Sequence, residues 1–455
     1  MEKRCNILLG GYRKTVEDLC CDNTDGCANA RRALLGSGCL STFATSVTGG
    51  AFFTAILIAM GADNTYIGYV SMATTFCMVM QFFAPLFWER RQARKALILW
   101  MEAISHFMTY LGLPLVAILP IETGWKLGLF MGMTLLSGFV QHLSLPASNA
   151  WIMQSIPFVK RVSYESFNST VPVVINVVSS FFAGLLVDGI EGSPSAVGGV
   201  SSAMLAILVL RGLAFVAACA STLWKALRVR EFPYRMTGGD RVRLSMLLVP
   251  MKNRPFLCLS LIPCLWAMIG GIIGNYFMLY LVETVRMPYS LISSAGFIST
   301  PIILLVTPIW TQVLRRRDWL RTMAVAILGY CVAYCCNVLI SAQTQYFYFL
   351  AIIIGHLFSP GITMVGNNLI FVHMPKENRT AYFAFYSLMI TAFSFLGQAF
   401  GNWFVTMAGS VRFDLLGIAI GNLQMTSALA ATFGILLSAL ILLLGSRFPK
   451  NKIEP

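Results

Sequence analysis

Twelve apolar runs follow one another along the 455-residue chain, separated by short polar stretches. Each run has about 20 or more residues, which is the length that an α-helix needs to cross a hydrocarbon core of about 30 Å. Membrane β-strands would instead alternate apolar and polar positions over about 10 residues, and the sequence lacks that alternation. The pattern therefore predicts an all-α membrane protein with twelve transmembrane helices. The predicted spans 1 to 12 are 35–60, 64–88, 96–119, 124–147, 167–189, 200–225, 255–281, 289–313, 320–341, 345–372, 381–406 and 425–446.

An internal repeat relates the two halves of the chain. Residues 149–167 recur 218 positions later as residues 367–385, with six identical positions. The identical pairs are Asn149 and Asn367, Ile152 and Ile370, Pro157 and Pro375, Arg161 and Arg379, Tyr164 and Tyr382, and Phe167 and Phe385. An offset near half of the chain length indicates one membrane unit built twice. Secondary transporters are commonly built in this way, with the substrate site where the halves meet.

The repeat and the longest hydrophilic connection divide the chain into five predicted parts. They are an N-terminal tail (1–33), a six-helix bundle (34–225), a basic linker (226–254), a second six-helix bundle (255–446) and a C-terminal tail (447–455). The linker has seven Lys and Arg residues against two acidic residues, so we expect it to tether along anionic headgroups, with a regulatory role as the alternative. No apolar stretch with a cleavage site precedes span 1, so we expect no removable signal peptide.

The net charge of +14 suggests a nucleic-acid partner until the charges are placed along the spans. If span 1 begins in the cytosol, only Lys126, Arg286 and Arg412 fall in loops on the outer side. Nearly all other Lys and Arg residues are then cytoplasmic, as the positive-inside bias requires. We therefore expect both termini, the two tails and the linker in the cytoplasm, the protein in the plasma (inner) membrane, and no nucleic-acid partner.

Few residues offer metal or cofactor chemistry. Cys20, Cys21 and Cys27 lie close together, but their spacing fits no standard zinc site, so we interpret them as reduced thiols. The sequence has no phosphate-binding loop of the ATPase type and no nucleophile elbow. We expect no metal, no cofactor and no enzymatic activity, so that any transport depends on gradients.

The loop between spans 2 and 3 carries a family motif. The major facilitator superfamily typically has G-x-x-x-D-R-x-G-R-R there, and residues 85–95 read P-L-F-W-E-R-R-Q-A-R-K. Glu89 stands for the motif's Asp, Arg90 for its first Arg and Arg94 for its last, whereas Gln92 and Ala93 depart from it. With two six-span halves, a basic central loop and cytoplasmic termini, the chain resembles this superfamily over nearly its whole length after residue 33.

The resemblance implies a mechanism and a place for the site. Members of the superfamily work by alternating access, in which two six-helix halves rock around a site near mid-membrane lined mainly by spans 1, 4, 7 and 10. It also implies a gating role for Glu89, Arg90 and Arg94. The repeated pairs Arg161 and Arg379, and Tyr164 and Tyr382, begin spans 5 and 11. Their duplication predicts a structural role in both halves, such as closing the inner gate.

Charged residues inside the membrane are costly and usually functional. Glu102 and His106 lie one helical turn apart on span 3, and Arg211 lies near the middle of span 6. A Glu102–Arg211 partnership is one possibility. A structural ion pair, snorkelling of Arg211 and a direct part in ion coupling all stay open.

Two histidines occur in matching motifs on spans that the resemblance assigns to the cavity. His142 begins His-Leu-x-x-Pro on span 4, and His356 begins the same pattern on span 10. A neutral imidazole both donates and accepts hydrogen bonds, and it titrates near working pH. The motifs are 214 positions apart rather than 218, so either a small insertion or coincidence relates them. The alternative role is one interhelical hydrogen bond each.

The remaining candidates are polar or aromatic side chains on the same spans, with helix packing as the alternative role for each. They are Thr45, Thr48, Gln141, Trp266, Asn275 and Asn367. A cavity so poor in acids favours a neutral, amphipathic or anionic solute over a polycation. We expect a monomeric secondary active transporter that lies in the lipid bilayer and moves a small organic solute. We expect protons as the coupling ion and slightly favour efflux. The alternatives are an uptake permease and a non-transporting receptor of the same fold.

Overall fold

The structure is a computed structural model of the whole chain. It describes residues 27–88, 91, 93–154, 156–191, 202–231, 249–274, 276–372, 374, 379–409, 411–415 and 418–445. Within these ranges the chain is almost entirely helical, with one short antiparallel strand pair, Phe413–Leu415 with Ile418–Ile420, between spans 11 and 12. Among the described residues, eleven helices are long and apolar enough to cross a membrane, or twelve if the bent helix pair at the start is one span.

Each predicted span has a helical counterpart. Span 1 is Ala28–Ser46 with Ala51–Ala59, span 2 is Asn64–Cys77 with Met80–Trp88, and span 3 is Lys95–His106, the π-helix Phe107–Gly112 and Leu113–Ile118. Spans 4, 5 and 6 are Thr123–Gln154, Phe158–Glu191 and Ser202–Arg228. After a 3₁₀ turn at Val249–Lys252, span 7 is Arg254–Ile273, Tyr276–Leu279 and the π-helix Tyr280–Thr284. Spans 8 to 12 are Tyr289–Arg316, Trp319–Val338, Tyr346–Val372, Arg379–Ala408 and Asn422–Gly445. The predicted all-α fold is confirmed.

Spans 1 and 7 both break at a glycine with a left-handed backbone. Span 1 bends by 44° between its two helices, and Gly50 at that break has φ +56°. Gly274 has φ +44° directly after the first helix of span 7. Glycine takes this conformation without the steric cost that a Cβ adds, so it permits a sharp break. Discontinuous helices of this kind are typical of the substrate-lining helices of transporters.

Two compact units can be described separately. The first contains residues 1–52 and 83–242, and the second contains residues 53–82 and 243–455. In the first unit, span 1 packs against spans 5 and 6, and span 3 packs against span 4. A cluster that includes Leu34, Ile98, Trp151 and Tyr164 forms the apolar core at one end. The division into six plus six spans at residues 226–254 stays a prediction.

The second unit is held by close helix packing. Glycines on span 11 let its backbone approach span 7, since a Cβ on Gly397 would lie 2.0 Å from the Met268 carbonyl oxygen and one on Gly401 would lie 2.4 Å from that of Ile272. This four-residue spacing of small residues is a common helix contact in membranes. The first helix of span 2 packs on span 11, where the Gln398 side chain donates to Thr75 Oγ1 at 2.7 Å.

Many large apolar side chains point outward. In the apolar window of span 8, only 11% of residues are buried. Leu304 and Leu305 are 65% and 72% exposed. Soluble monomers rarely show contiguous apolar surface of this extent, whereas a bilayer covers it. The exposure pattern therefore agrees with a multi-pass membrane protein.

Candidate functional site

In each unit, a tryptophan indole donates a hydrogen bond to the leucine carbonyl of the His-Leu-x-x-Pro segment. In the first unit, the Trp88 indole Nε1–H donates to the Leu143 carbonyl at 2.7 Å. In the second unit, the Trp310 indole Nε1–H donates to the Leu357 carbonyl at 2.8 Å. Proline has no backbone N–H, so the helix loses a hydrogen bond near these carbonyls and an outside donor is favourable.

A small residue follows each proline and makes room for the indole. Ala147 is buried in the same apolar cluster as Trp88. At the equivalent place in the second unit, a Cβ on Gly361 would lie 2.7 Å from the Trp310 ring. The matching contacts place the two segments against equivalent tryptophans, which favours a small insertion over coincidence as the reason for their different offset.

The hydrogen bond of His356 defines which ring nitrogen carries the proton. Nδ1 lies 2.8 Å from the carbonyl oxygen of Ile352, one turn earlier on span 10. A carbonyl only accepts, so Nδ1 is the N–H and Nε2 is left as an acceptor in the neutral ring. His356 is half-buried, and within the described residues Nε2 has no hydrogen-bond partner.

Span 10 carries a polar face that includes this histidine. His356, Thr363 and Asn367 are spaced by seven and four residues, which places them on one side of the helix. Thr363 and Asn367 are exposed, and the Thr363 hydroxyl bonds only the Ser359 carbonyl of its own helix, at 3.0 Å. A lipid-facing surface disfavours such side chains, whereas a water-filled space accepts them.

Span 4 repeats part of this arrangement. His142 is half-buried, and the exposed Asn149 lies two turns later on the same side, as Thr363 does relative to His356. The neighbouring Gln141 is also exposed. The structure therefore keeps His142, Gln141, His356 and Asn367 on accessible helix faces, each within its own unit.

The other predicted candidates differ in how accessible their side chains are. Thr48 is buried and its hydroxyl donates to the Ala44 carbonyl at 2.7 Å, so it is not accessible to a solute. Trp266 is half-buried among aromatic rings of span 9, with centroids 5.4 Å from Tyr330 and 6.2 Å from Tyr334. Thr45 is exposed, although its hydroxyl bonds carbonyls of its own helix. Asn275 lies outside the described residues.

Glu102 forms an ion pair with Lys225 and not with Arg211. Its Oε2 contacts Lys225 Nζ, and its Oε1 accepts from the Ser148 hydroxyl at 3.2 Å. The suggested Glu102–Arg211 partnership is therefore wrong. Span 6 continues to Arg228, which brings Lys225 inside the helix, and Arg211 lies 14 residues earlier, about 21 Å along the axis. The sequence does offer one indication of this pair, because Glu102 near the start of span 3 and Lys225 at the end of span 6 lie toward the same side of the membrane.

Arg211 instead binds backbone carbonyls at two irregular points of the first unit. Nη1 donates to the Thr109 carbonyl at 3.0 Å, inside the π-helix of span 3. Nη2 donates to the Thr48 carbonyl at 3.2 Å, at the break of span 1. Helix irregularities leave carbonyls in need of donors, and a guanidinium supplies several. Through these contacts, Arg211 on span 6 links span 1 and span 3. His106 likewise makes a helix contact, with Nδ1 3.2 Å from the Thr222 hydroxyl.

Of the predicted gate residues between spans 2 and 3, the structure describes Arg94, which lies directly before the first helix of span 3. The buried Arg94 donates from Nη2 to the Trp88 carbonyl at 2.8 Å and from Nε to the Arg91 carbonyl at 2.9 Å. The Glu231 carboxylate accepts from the backbone N–H groups of Arg94 and Lys95, at 2.9 Å and 3.2 Å. It therefore caps span 3, where a negative charge is favourable. Glu89 and Arg90 lie outside the described residues.

The two repeated tyrosines are buried near the starts of spans 5 and 11. Tyr164 belongs to the apolar core of the first unit. The Tyr382 hydroxyl accepts from Asn253 Nδ2 at 3.3 Å, and its ring packs edge-on against Phe256 at 4.8 Å. Asn253 also caps span 7, so Tyr382 fixes the start of that span. The side chains of Arg161 and Arg379 lie outside the described part of the chain.

Metal chemistry has no visible site in the part of the chain that the structure describes. No three His, Cys, Asp or Glu side chains there come together in a way that could hold a metal ion. The arrangement offers hydrogen bonding, charge pairing and an imidazole with one available nitrogen. These are groups for binding and proton exchange.

Several solved membrane transporters have the same fold. The nucleoside transporter NupG superposes with a TM-score of 0.62 at 13% identity, covering 93% of this chain and 99% of that one. A bacterial homologue of the human lysosomal transporter Spinster gives a TM-score of 0.66 at 15% identity, covering 95% and 100%. The xylose transporter XylE from E. coli gives 0.57 at 11% identity, covering 93% and 99%. A search of the curated proteins finds no match.

Identities this low show the fold alone, so the family assignment depends on the match of the sequence to a family model. The family model described as Major Facilitator Superfamily matches residues 34–398, which is most of the chain. The matched region begins in span 1 and ends within span 11. The protein therefore belongs to the Major Facilitator Superfamily, and it is a membrane transporter and not an enzyme.

Proposed function

We propose that the protein is a secondary active transporter that moves a small organic solute by alternating access. The observation that supports this most is the pair of matching His-Leu-x-x-Pro segments, each of which accepts a hydrogen bond from a tryptophan indole. Equivalent polar positions in two repeated units are what a site shared by both halves requires. The proposed site contains Gln141 and His142 on span 4, and His356, Thr363 and Asn367 on span 10.

Proton coupling through the histidines is part of this proposal. In the neutral His356 ring, Nε2 accepts a proton or a solute hydrogen bond, while Nδ1 stays bound to its own helix. An imidazole in water titrates near pH 6.5, so modest changes in its surroundings switch its charge at working pH. Protonation then adds a positive charge to a region with few acidic side chains. A neutral, amphipathic or anionic solute suits such a site better than a polycation.

Orientation and direction complete the proposal. The excess of Lys and Arg on one side favours both termini in the cytoplasm and residence in the plasma (inner) membrane. We favour a monomer that exports its solute, with uptake by the same mechanism as the alternative. A receptor that binds without transport is the second candidate function, and its signature would be solute binding with no flux.

Metabolite accumulation in oriented membranes tests the function directly. Intact cells and inverted vesicles that carry the protein are loaded with a broad mixture, including nucleosides, xylose and amphipathic anions, with and without a proton uncoupler. Accumulation only in energised inverted vesicles is the expected result for proton-driven efflux. Accumulation only in cells would establish uptake instead. Binding without accumulation in either preparation would contradict the transport proposal and favour the receptor.

A further inference from the structure

The second unit has an apolar groove on its outer surface that ends in a cluster of arginines. The groove has a volume of about 1010 Å³ and lies among spans 8, 9, 10 and 12. Its walls are apolar side chains, among them Val306, Ile309, Val313, Val325, Leu357 and Leu442. Ile309 and Val325 are 59% and 54% exposed, so the groove is open along its length to the surrounding lipid.

Four arginines and one aspartate form the rim at the loop between spans 8 and 9. Arg315, Arg316, Arg317 and Arg321 are exposed and line the groove together with Asp318. Asp318 Oδ2 lies 3.9 Å from Arg321 Nε, which is a long contact. The carboxylate offsets one of four positive charges, so the rim has an excess of guanidinium groups. Guanidinium groups bind phosphate oxygens with paired hydrogen bonds.

The length of the groove matches one leaflet of a bilayer. Val306 and Arg315 are nine residues apart on one helix, which corresponds to about 14 Å along its axis. Half of a hydrocarbon core of about 30 Å is nearly the same distance. A molecule that fills the groove therefore has an acidic polar end at the membrane surface and an apolar end one leaflet deep.

We propose that this groove binds an anionic phospholipid, with its phosphate on the arginine rim and an acyl chain along the apolar walls. The apolar pocket of the first unit, of about 370 Å³ between spans 3 and 6, provides an internal comparison. No arginine or lysine lines it, so it lacks a partner for a phosphate. The inference depends on the membrane fold and not on which solute is carried or in which direction.

Lipid binding to the purified protein tests the role of the rim. Native mass spectrometry measures retention of phosphatidylglycerol against phosphatidylcholine for the wild type and for R315Q/R316Q/R321Q. We expect the triple variant to lose about tenfold in phosphatidylglycerol affinity, since each phosphate contact adds a charge-assisted hydrogen bond. A control with the same charge removed from exposed positions outside the groove and outside the linker, R91Q/R286Q/R412Q, should bind within about twofold of the wild type. Equal loss in both variants would overturn a specific site.

Filling the groove tests whether an acyl chain occupies it. Val325→Trp places a bulky ring in the groove and leaves every arginine in place, whereas Val332→Trp adds the same ring two turns along the same exposed helix face, outside the groove. Loss of phosphatidylglycerol only in Val325→Trp is the expected result. Unchanged phosphatidylglycerol binding in Val325→Trp would overturn the proposal that an acyl chain lies in the groove. Full displacement of the lipid by millimolar inorganic phosphate would show a site for free phosphate instead.

Discussion

At the scale of single residues, His356 differs from His106 in what its ring contacts. His106 makes a direct contact with the Thr222 hydroxyl on span 6, in a helix interface. His356 bonds only its own helix and keeps Nε2 available within the described chain. His142 occupies the equivalent place in the first unit. This contrast separates a histidine suited to proton exchange from one suited to packing.

The pH dependence of transport tests that contrast. If these histidines exchange the coupling proton, the transport rate of the wild type should depend on pH. In His142→Ala and His356→Ala, the rate should vary less with pH, because one imidazole that exchanges protons is gone. His106→Ala is the matched control and should keep the wild-type profile. Profiles unchanged in both test variants would remove these histidines from coupling.

The ion pair between Glu102 and Lys225 predicts an asymmetric response to mutation. Lys225→Met leaves a largely buried carboxylate with only the Ser148 hydroxyl, which should cost about 3–5 kcal/mol. Adding Glu102→Gln removes that stranded charge, so the double variant should recover most of the stability. The measurement is the midpoint of thermal unfolding in detergent. A double variant as unstable as Lys225→Met would show that the pair is not the cause.

At the scale of the elements, the breaks in spans 1 and 7 lie at equivalent points of the repeat. Each follows the first long helix of its span and each has a glycine with positive φ. Beside the span 1 break, the Thr48 carbonyl is held by Arg211. Apolar periodicity predicts an unbroken helix here, because it reports which face is buried and not where one backbone angle reverses sign.

Gly274 offers a direct test of the break in span 7. Gly274→Ala forces a Cβ into a left-handed backbone, with the Gly271 carbonyl oxygen 3.2 Å away, and should destabilise the protein by about 1–2 kcal/mol. Gly270→Ala is the control, since it lies within the helix, faces open space and should be neutral or stabilising. The measurement is the midpoint of thermal unfolding of both variants, which should be lower for Gly274→Ala than for Gly270→Ala. Equal midpoints would mean that the backbone at residue 274 relaxes without strain.

At the scale of the whole molecule, the sequence predicted the number and order of spans because apolar runs of membrane length are unambiguous. It missed Lys225 as the partner of Glu102, because the predicted span ended at that residue and placed it in water. The burial of Thr48 does not follow from the sequence, since residue type alone does not say which way a helix face points. The equivalence of the histidine motifs became clear only when Trp88 and Trp310 made the same contact with each.

The grouping of residues 53–82 with the second unit has a consequence for a severed chain. Cutting the linker between residues 231 and 249 separates Thr75 and Gly68 from Gln398, Tyr276 and Asn402, on which they pack. The C-terminal fragment alone would therefore lack a helix of its own core, and we expect it to be degraded. Co-expression of both fragments should restore a complex that purifies together through a tag on either one. A C-terminal fragment that is stable by itself would contradict this expectation. If the C-terminal fragment accumulates only when the N-terminal fragment is present, the protein can be produced from two separate genes that together give one folded transporter.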